Sequence, residues 1–245
     1  MNDAAPDMTG FPSTAPSLRG RVVFDQQWRN VCFLHWPVRP NSVAHLFPRG
    51  SRPDVFGGST YVGLVPFELG DAGFGSLGAV PYFGTFLETN IRLYSVDDAG
   101  RHGVVFRSLD TQRLAILPLA RWVFGVPYAW ASMRSTRVGD RISYDSRRRW
   151  PQRGLRTHVV VDVGEAVEPT ALEVWLTARW GLHSRIAGRT YWTPNEHGPW
   201  PLHRAEVLEL SDDLLGASAV AACAPLVPAL WSPGVRTRFG RPTPL

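Results

Sequence analysis

The sequence contains no lysine, and all 26 of its basic residues are arginine. The amine that forms a Schiff base with a carbonyl substrate is normally a lysine whose pKa is lowered by its surroundings. Arginine stays charged and cannot act as an amine nucleophile. The composition therefore excludes Schiff-base chemistry at a side chain. A net charge of +5 is also a weak indicator of nucleic-acid binding, because a coding bias towards arginine produces the same excess.

Cysteine is scarce as well. Cys32 and Cys223 stand far apart and form no C-x-x-C motif, which fits two reduced thiols and no disulfide framework. Residues 1–17 contain three prolines, no basic residue and no apolar run, so they do not resemble a secretory signal. We expect a cytoplasmic protein with a disordered lead-in over residues 1–18 and one domain over residues 19–245.

A long apolar run that could cross a membrane is also missing. The segment Leu214–Trp231 has no charged residue, but Pro225 and Pro228 lie in its second half. Proline interrupts helical hydrogen bonding, so a membrane helix is disfavoured. We expect a short buried helix followed by a proline-rich loop, and no membrane partner.

The residues that are abundant favour strands and turns. The chain has 10 Trp, 23 Gly and 21 Pro, a composition more typical of a walled cavity than of a helical bundle. Phe86–Val96 alternates between two faces, and the turn at residues 97–100 leads to a hairpin partner at Gly103–Leu109. Further strands are predicted at residues 31–38, 60–69, 128–138, 141–146, 157–163, 189–194 and 203–210.

Helical signals are fewer and shorter. Residues 41–47 favour a short helix, and residues 112–124 have helical spacing interrupted by Pro118. Thr170 and Glu173 form a capping-box pattern at the start of a helix over residues 170–180. The fold class predicted is therefore α+β and β-dominated, with two or three short helices and one domain.

Five motifs in order carry a resemblance: residues 33–38 (FLHWPV), 61–67 (YVGLVPF), 88–94 (ETNIRLY), 125–128 (GVPY) and 199–202 (PWPL). Together they resemble the YqjF-like bacterial family, also called domain-of-unknown-function family 2071, over residues 26–236. That family is placed in the acetoacetate decarboxylase superfamily. The resemblance implies a largely antiparallel, cone- or barrel-like sheet around a central cavity.

One segment of this sequence departs from the pattern of the decarboxylases. The decarboxylases carry an R-E-x-W-G-F-P-K-K segment whose first lysine forms the Schiff base. The similar segment here spans residues 121–129, and Tyr128 and Ala129 stand where the two lysines would be. Glu88 is similar to the glutamate that the decarboxylases place in their cavity. The resemblance therefore implies a retained scaffold and acid without the nucleophile, and kinship of fold does not restore that function.

Candidate site residues follow from this alignment and from strand alternation. We assign Glu88 as a candidate acid or base and Tyr128 as a candidate hydrogen-bond donor. A bonded core histidine is favoured over a catalytic His35. The ligand-binding candidates are Asn90, Arg92, Tyr94 and Arg121.

The charge state of the Glu88 carboxyl depends on its surroundings, and two cases are possible. Burial would raise its pKa and make it an acid or base near neutral pH, whereas contact with Arg92 would lower its pKa and fix an ion pair. A self-satisfied structural pair of Glu88 and Arg92 is the alternative to a ligand site.

Three other patterns in the sequence are weaker indicators of function. Residues 73–78 match G-x-G-x-x-G but lead into a strand, so we interpret residues 70–84 as a mobile glycine-rich loop over the cavity mouth rather than a nucleotide site. The spacing of His183, His197 and His203 matches no metal motif, and no metal or cofactor is expected. The arginine-rich run at residues 147–156 favours a solvated hairpin over a phosphate-binding surface.

The function predicted is that of a cavity protein that binds or transforms a small organic acid or carbonyl compound without a lysine. The enzymatic form would be a lyase, isomerase or hydrolase. A non-catalytic ligand-binding or regulatory module is the alternative, and a nonspecific nucleic-acid binder is a distant one. A small-molecule ligand is the expected partner, no specific nucleic acid is expected, and homo-oligomerisation is left open.

Overall fold

The computed structural model describes residues 11–18, 20–73, 85–114 and 124–245. Within these residues one 13-stranded sheet dominates the architecture. In chain order its strands are β1 Phe24–Val38, β2 Ser51–Pro53, β3 Thr60–Gly73, β4 Phe86–Asp97, β5 His102–Thr111, β6 Tyr128–Val138, β7 Arg141–Trp150, β8 Arg156–Ala166, β9 Gly181–Ile186, β10 Arg189–His197, β11 His203–Asp212, β12 Ala229–Phe239 and β13 Thr243–Pro244.

The described helices are short. They are α1 Pro40–Val43, which continues into a 3-10 turn, α2 Ala171–Thr177 and α3 Leu214–Ala217. The capping box predicted at the start of α2 is present: the Thr170 hydroxyl accepts from the Glu173 backbone N–H, and the Glu173 carboxylate accepts from the Thr170 N–H. The helix expected at residues 112–124 falls largely on residues 115–123, outside the described residues.

The sheet closes on itself in two ways. Nine strands form one closed ring through β5, β6, β7, β8, β11, β12, β1, β3 and β4. A second ring of seven strands runs through β5, β9, β10, β12, β1, β3 and β4, closed by pairing of β9 with β5 and of β10 with β12. The five strands from β12 to β5 belong to both rings. We call them the shared wall.

The two faces of the shared wall have different surroundings. On the side of the nine-strand ring, Leu34, Leu64 and Ile91 are fully buried in a packed apolar core with Ile142 and Val159 from the opposite strands. On the other side, the seven-strand ring encloses a cavity. Successive side chains of a strand point to opposite faces, so every strand of the wall contributes to both interiors.

A bulge in β1 changes which residues face the cavity. Asn30 adopts a positive φ of 49°, and the pairing of β1 with β3 shifts register between Arg29 and Leu34. A bulge inserts one extra residue and reverses the alternation. Trp28 before the bulge and Val31 after it consequently face the same cavity.

The predicted strand-dominated, mainly antiparallel, closed sheet with few short helices is confirmed. The β4–β5 hairpin and most predicted strands are present. The structure also contains β2, β9, β12 and β13, which were not predicted from the sequence. The proline-rich loop expected after α3 is shorter than predicted, because β12 begins at Ala229. This strand pairs with β1 and includes Pro233 and Gly234.

The predicted lead-in falls partly outside the described residues, at positions 1–10. Of the remainder, Pro12 accepts a hydrogen bond from Trp180 Nε1 through its carbonyl, and the Leu18 N–H donates to Glu196 at 3.1 Å. These residues contact the domain. In the described part of the chain, no helix has the length and apolarity needed to span a membrane.

Candidate functional site

A cavity of about 410 Å³ lies inside the seven-strand ring. Seven phenylalanines and two tryptophans contribute to its lining, so the walls are mainly apolar. A small number of polar side chains break this surface: Gln26, Glu88, Asn90, Arg92, Tyr128, Thr177, Arg179, Asn195 and His197. An apolar cavity with a few converging polar groups is the usual form of a small-molecule site.

Glu88 and Tyr128 form a hydrogen-bonded pair in this cavity. Glu88 is on β4, and the Tyr128 hydroxyl donates to its Oε2 across 2.7 Å. Tyr128 begins β6 after a turn at Gly125, which has a φ of +62° and lies so close to the Arg185 carbonyl that a Cβ would be 2.6 Å from it. Only glycine adopts that conformation at such a close approach without strain. The turn directs β6 alongside β5, where Tyr128 is paired with Leu109.

The environment of Glu88 favours its neutral form. Burial raises the pKa of Glu88 to about 7, although hydrogen bonds from Tyr128 and Asn90 act in the opposite direction. Arg92 is not among the groups that shift the pKa of this carboxyl. Four residues of strand separate Arg92 from Glu88, about 13 Å between Cα atoms. Of the two states possible for Glu88, the structure supports the buried, titratable carboxyl rather than the ion pair.

Arg92 is held by neutral acceptors. Its Nε donates to the Tyr94 hydroxyl at 3.2 Å and its Nη2 to the Leu176 carbonyl at 3.4 Å. The guanidinium also lies over the rings of Phe33 and Tyr94, at 5.6 and 5.5 Å from their centroids. Gly63 on β3 gives this side chain its space, since a Cβ there would come within 3.3 Å of Arg92 Cγ.

His35 and Tyr94 lie behind Arg92 and do not line the cavity. The Tyr94 hydroxyl is 2.5 Å from His35 Nε2. Burial, together with the charges of Arg92 and Arg179, lowers the pKa of His35 well below its usual value. Because the Tyr94 oxygen accepts from Arg92, its own proton is directed to Nε2 of a neutral imidazole. The pair therefore orients Arg92 without neutralising its charge.

Arg179 provides a second guanidinium next to the end of α2. Its Nε donates to the Trp175 carbonyl at 2.8 Å, and its Nη1 forms an ion pair with Asp54. Burial alone would raise the pKa of Asp54, but hydrogen bonds from His102 and Arg179 and the charge of Arg179 hold it below its usual value. Arg179 Nη2 is buried without a hydrogen-bond partner among the described residues.

Aromatic side chains surround His197 at another part of the wall. Its ring lies 4.7 Å from Trp180 and 5.1 Å from Trp200 between centroids. Burial lowers the pKa of His197 to about 4, and the charge of Arg92 acts in the same direction. Nδ1 lies 2.7 Å from the Gly198 carbonyl, so the neutral ring carries its proton there and has a lone pair at Nε2.

One buried polar relay resembles a hydrolase triad but has no access to the cavity. Ser95 Oγ is 2.8 Å from His183 Nδ1, and His183 Nε2 is 3.1 Å from Asp97. Ser95 is fully buried, and none of the three lines the cavity. Asp97 also accepts from the backbone N–H groups of Ala99 and Arg101. The relay therefore holds the β4–β5 turn against β9.

The structure brings together four of the predicted site residues, since Glu88, Asn90, Arg92 and Tyr128 line one cavity. Arg121 and most of the glycine-rich loop, at positions 74–84, lie outside the described residues. In the described ranges, no three His, Cys, Asp or Glu side chains are arranged to hold a metal ion.

Arg179 was not predicted as a site residue, and His197 was weighed only as a metal ligand. Arg179 is the single charged residue in the apolar stretch Trp175–Leu182, which was a usable signal. Arg148, in the arginine-rich run predicted as a solvated hairpin, is buried and forms an ion pair with Asp110, and it does not line the cavity.

Comparison with known proteins agrees with this architecture. Residues 25–236 match domain-of-unknown-function family 2071, described as uncharacterized conserved proteins. The uncharacterized protein YqjF of Bacillus subtilis (strain 168) is 33% identical over 190 residues, which cover 76% of this chain and 78% of that protein.

Two solved structures show the relationship of fold. The enduracididine biosynthesis enzyme MppR, complexed with pyruvate, superposes with a TM-score of 0.66 at 15% identity and covers 98% of each chain. Acetoacetate decarboxylase from Legionella pneumophila has a TM-score of 0.63 at 12% identity, covering 100% of this chain and 97% of that one. Identities this low establish the fold alone. With the family match spanning most of its length, the chain belongs to domain-of-unknown-function family 2071 and has the acetoacetate decarboxylase-like fold.

Proposed function

We propose that this protein binds a small organic acid or carbonyl compound in the cavity and transfers a proton to or from its carbon skeleton, with Glu88 as the acid or base. The observation that supports this most directly is the buried Glu88 carboxyl, whose pKa is raised to about 7 while Tyr128 donates to it. A group with a pKa near the working pH is present in both protonation states and is most effective in proton transfer.

The proposed step needs neither a lysine nor an external oxidant. The Glu88 carboxylate accepts a proton from the carbon next to the carbonyl group. The C–H electron pair forms the C=C bond, and the carbonyl π pair moves to oxygen, which gives an enolate. Once Glu88 is protonated it no longer requires the Tyr128 hydroxyl as a donor, so Tyr128 can donate to the enolate oxygen. Return of the proton to carbon completes an exchange or an isomerisation.

The fold relatives support a carbonyl ligand. MppR has been solved with pyruvate and with the condensation product of pyruvate and imidazole 4-carboxaldehyde. The present chain has no lysine, so an enol or enolate route uses the residues that remain. Tyr128 occupies the position where the resemblance places the Schiff-base lysine, and it is bonded to the cavity acid.

Deuterium exchange tests this proposal. The protein is incubated in D₂O with pyruvate, 2-oxobutyrate, acetoacetate or phenylpyruvate, and loss of the proton next to the carbonyl is followed by NMR. We expect catalysed exchange with at least one compound. Removing a general acid or base typically lowers the rate by about 10²–10⁴-fold, so Glu88→Gln should reduce the exchange by at least about 100-fold. Glu168→Gln, a matched change at an exposed glutamate, should leave the rate unchanged.

A non-catalytic ligand-binding module is the second candidate, and one observation favours it. The Glu88 carboxyl is already bonded to Tyr128 within the protein, an arrangement that a carrier or sensor site can also have. Binding of these compounds without any exchange would support this alternative and remove the proposed acid–base role. Exchange that persists in Glu88→Gln would assign the chemistry to another group.

A further inference from the structure

One end of the cavity carries an uncompensated positive charge. Arg92 is buried, and it donates its hydrogen bonds to a hydroxyl and a backbone carbonyl. No carboxylate of the described residues forms an ion pair with it. A buried charge without a counter-ion is unfavourable. An anion entering the cavity would therefore be stabilised at this end.

Arg179 is a second guanidinium at the same end, since it and Arg92 both lie over the Tyr94 ring, at 4.8 and 5.5 Å from its centroid. Its charge is matched by Asp54, but its Nη2 is buried and has no hydrogen-bond partner among the residues described. Asp54 thus neutralises one of the two guanidiniums, and Arg92 supplies one net positive charge. This balance fits a ligand with a single negative charge, and two guanidinium groups offer the N–H donors that a carboxylate accepts.

The remainder of the cavity selects for an apolar body. Its volume of about 410 Å³ lies within the range of about 300–1,000 Å³ typical of cavities that bind drug-sized ligands, which are larger than a three- or four-carbon acid. Phenylalanine and tryptophan supply nine of the 27 lining residues, and valine, leucine and alanine supply eight more. Trp28 and Trp200 stack 5.8 Å apart between centroids. Aromatic walls pack well against another aromatic ring.

We propose that the cavity binds a monocarboxylate with an apolar body that carries an aromatic ring. The carboxylate lies at the end of the cavity that carries Arg92 and Arg179, the ring packs against the phenylalanine and tryptophan side chains, and the carbon chain between them faces Glu88. This inference rests on the proposed function, because it names the ligand class of the same cavity. The separation of Arg92 from Glu88 along β4 allows such a ligand to contact both, whereas a short acid would reach one of them.

Matched ligands test the two features separately. Binding of 3-phenylpropionate, 3-phenylpropionamide, propionate and pyruvate is measured by calorimetry at pH 7. The amide removes the charge and retains the shape, and propionate removes the ring and retains the charge. We expect 3-phenylpropionate to bind at least about tenfold more tightly than either, a difference that calorimetry resolves readily.

Variants test whether the guanidinium of Arg92 binds the carboxylate of the ligand. Arg92→Gln should weaken binding of the acid by at least about tenfold and leave the amide unchanged. Arg189→Gln, at an exposed arginine, should alter neither. The comparison of acid with amide in the unmodified protein needs no variant, so it stands even if Arg92→Gln folds poorly.

Each outcome has a distinct meaning. Equal binding of amide and acid would overturn the anion site, and propionate binding as tightly as 3-phenylpropionate would overturn the aromatic body. In either case the proposed function would stand. If none of the four compounds binds and no carbonyl compound undergoes exchange, the proposed function itself fails together with this inference.

Discussion

Glu88 and Asp110 are buried carboxyls on neighbouring strands that face opposite sides of the shared wall. Glu88 is paired with Thr111 across the β4–β5 ladder, and Thr89 next to it is paired with Asp110. Glu88 faces the cavity and is bonded to the neutral Tyr128. Asp110 faces the other interior and accepts from the Arg148 guanidinium, at 2.8 Å from Nε, and from Ser146 Oγ at 3.1 Å.

The two carboxyls differ in whether an arginine lies against them. Burial raises the pKa of both carboxyls, but at Asp110 the charge of Arg148 opposes that rise. Where the interior is closed, the sheet provides a counter-ion that opposes the rise, although burial still holds the pKa of Asp110 above its usual value. Where the interior is a cavity, none of the described cations forms an ion pair with the acid, and burial raises the pKa of Glu88 to about 7. Such incomplete compensation is typical of functional sites.

The largest effect is expected from removing the counter-ion of Asp110. Arg148→Met leaves a buried carboxylate without its partner, which typically costs 3–5 kcal/mol, so the free energy of unfolding should fall by about that amount in urea. Arg149→Met, at the exposed neighbour on the same strand, should change it by less than about 0.5 kcal/mol. If the free energy of unfolding of Arg148→Met falls by less than about 1 kcal/mol, the contrast between the two carboxyls is wrong, since Asp110 would then not depend on its counter-ion.

A second, smaller effect concerns pH and Glu88. The folded-state pKa is about 7 and the ordinary value is 4.5. For an acid whose pKa is raised by folding, stability is lost as the pH rises from the ordinary value through the folded value. Glu88→Gln cannot ionise, so relative to the unmodified protein it should gain up to about 3 kcal/mol between pH 4.5 and 8.

Urea unfolding of both proteins at several pH values measures this difference, and groups unchanged by the substitution cancel in it. A difference that is constant across the range would show that Glu88 titrates normally. A difference of opposite sign would mean that the folded protein stabilises the anion, as in an ion pair.

The smallest effect is expected from Tyr128→Phe. The Tyr128 hydroxyl lowers the pKa of Glu88, so its removal should move that pKa further above 7. A hydrogen bond to a charged group contributes about 1.5–3 kcal/mol, and the loss of stability should be about 1.5 kcal/mol at pH 8 and less at pH 5. NMR titration of labelled glutamate carboxyls measures the shift. An unchanged pKa would show that the two side chains are not coupled in solution.

Local patterns predicted much of the fold and part of the site. Alternation in β4 has a period of two, so residues 86–94 placed Glu88, Asn90 and Arg92 on one face. The turn at residues 97–100 marked the hairpin, and Thr170 with Glu173 marked the start of α2. These features depend on neighbours within a few positions, which makes them readable from sequence.

Other features depend on contacts that no local pattern encodes. The reversal of alternation at Asn30 comes from its positive φ and from a register shift against β3. Arg179 approaches Arg92 through the position of α2, whose Leu176 carbonyl accepts from Arg92. The strand β9 is recognisable mainly by its pairing with β10 and β5.

The sequence by itself determined that no side-chain Schiff base can form, because it contains no lysine and has Tyr128 at the position where the resemblance places one. It also determined which β4 residues share a face. Only the tertiary structure decided that burial raises the pKa of Glu88 to about 7 and that no carboxylate of the described residues forms an ion pair with Arg92. Both depend on burial and on charges from distant strands, because electrostatic free energies are set by three-dimensional distance and solvent access rather than by position along the chain.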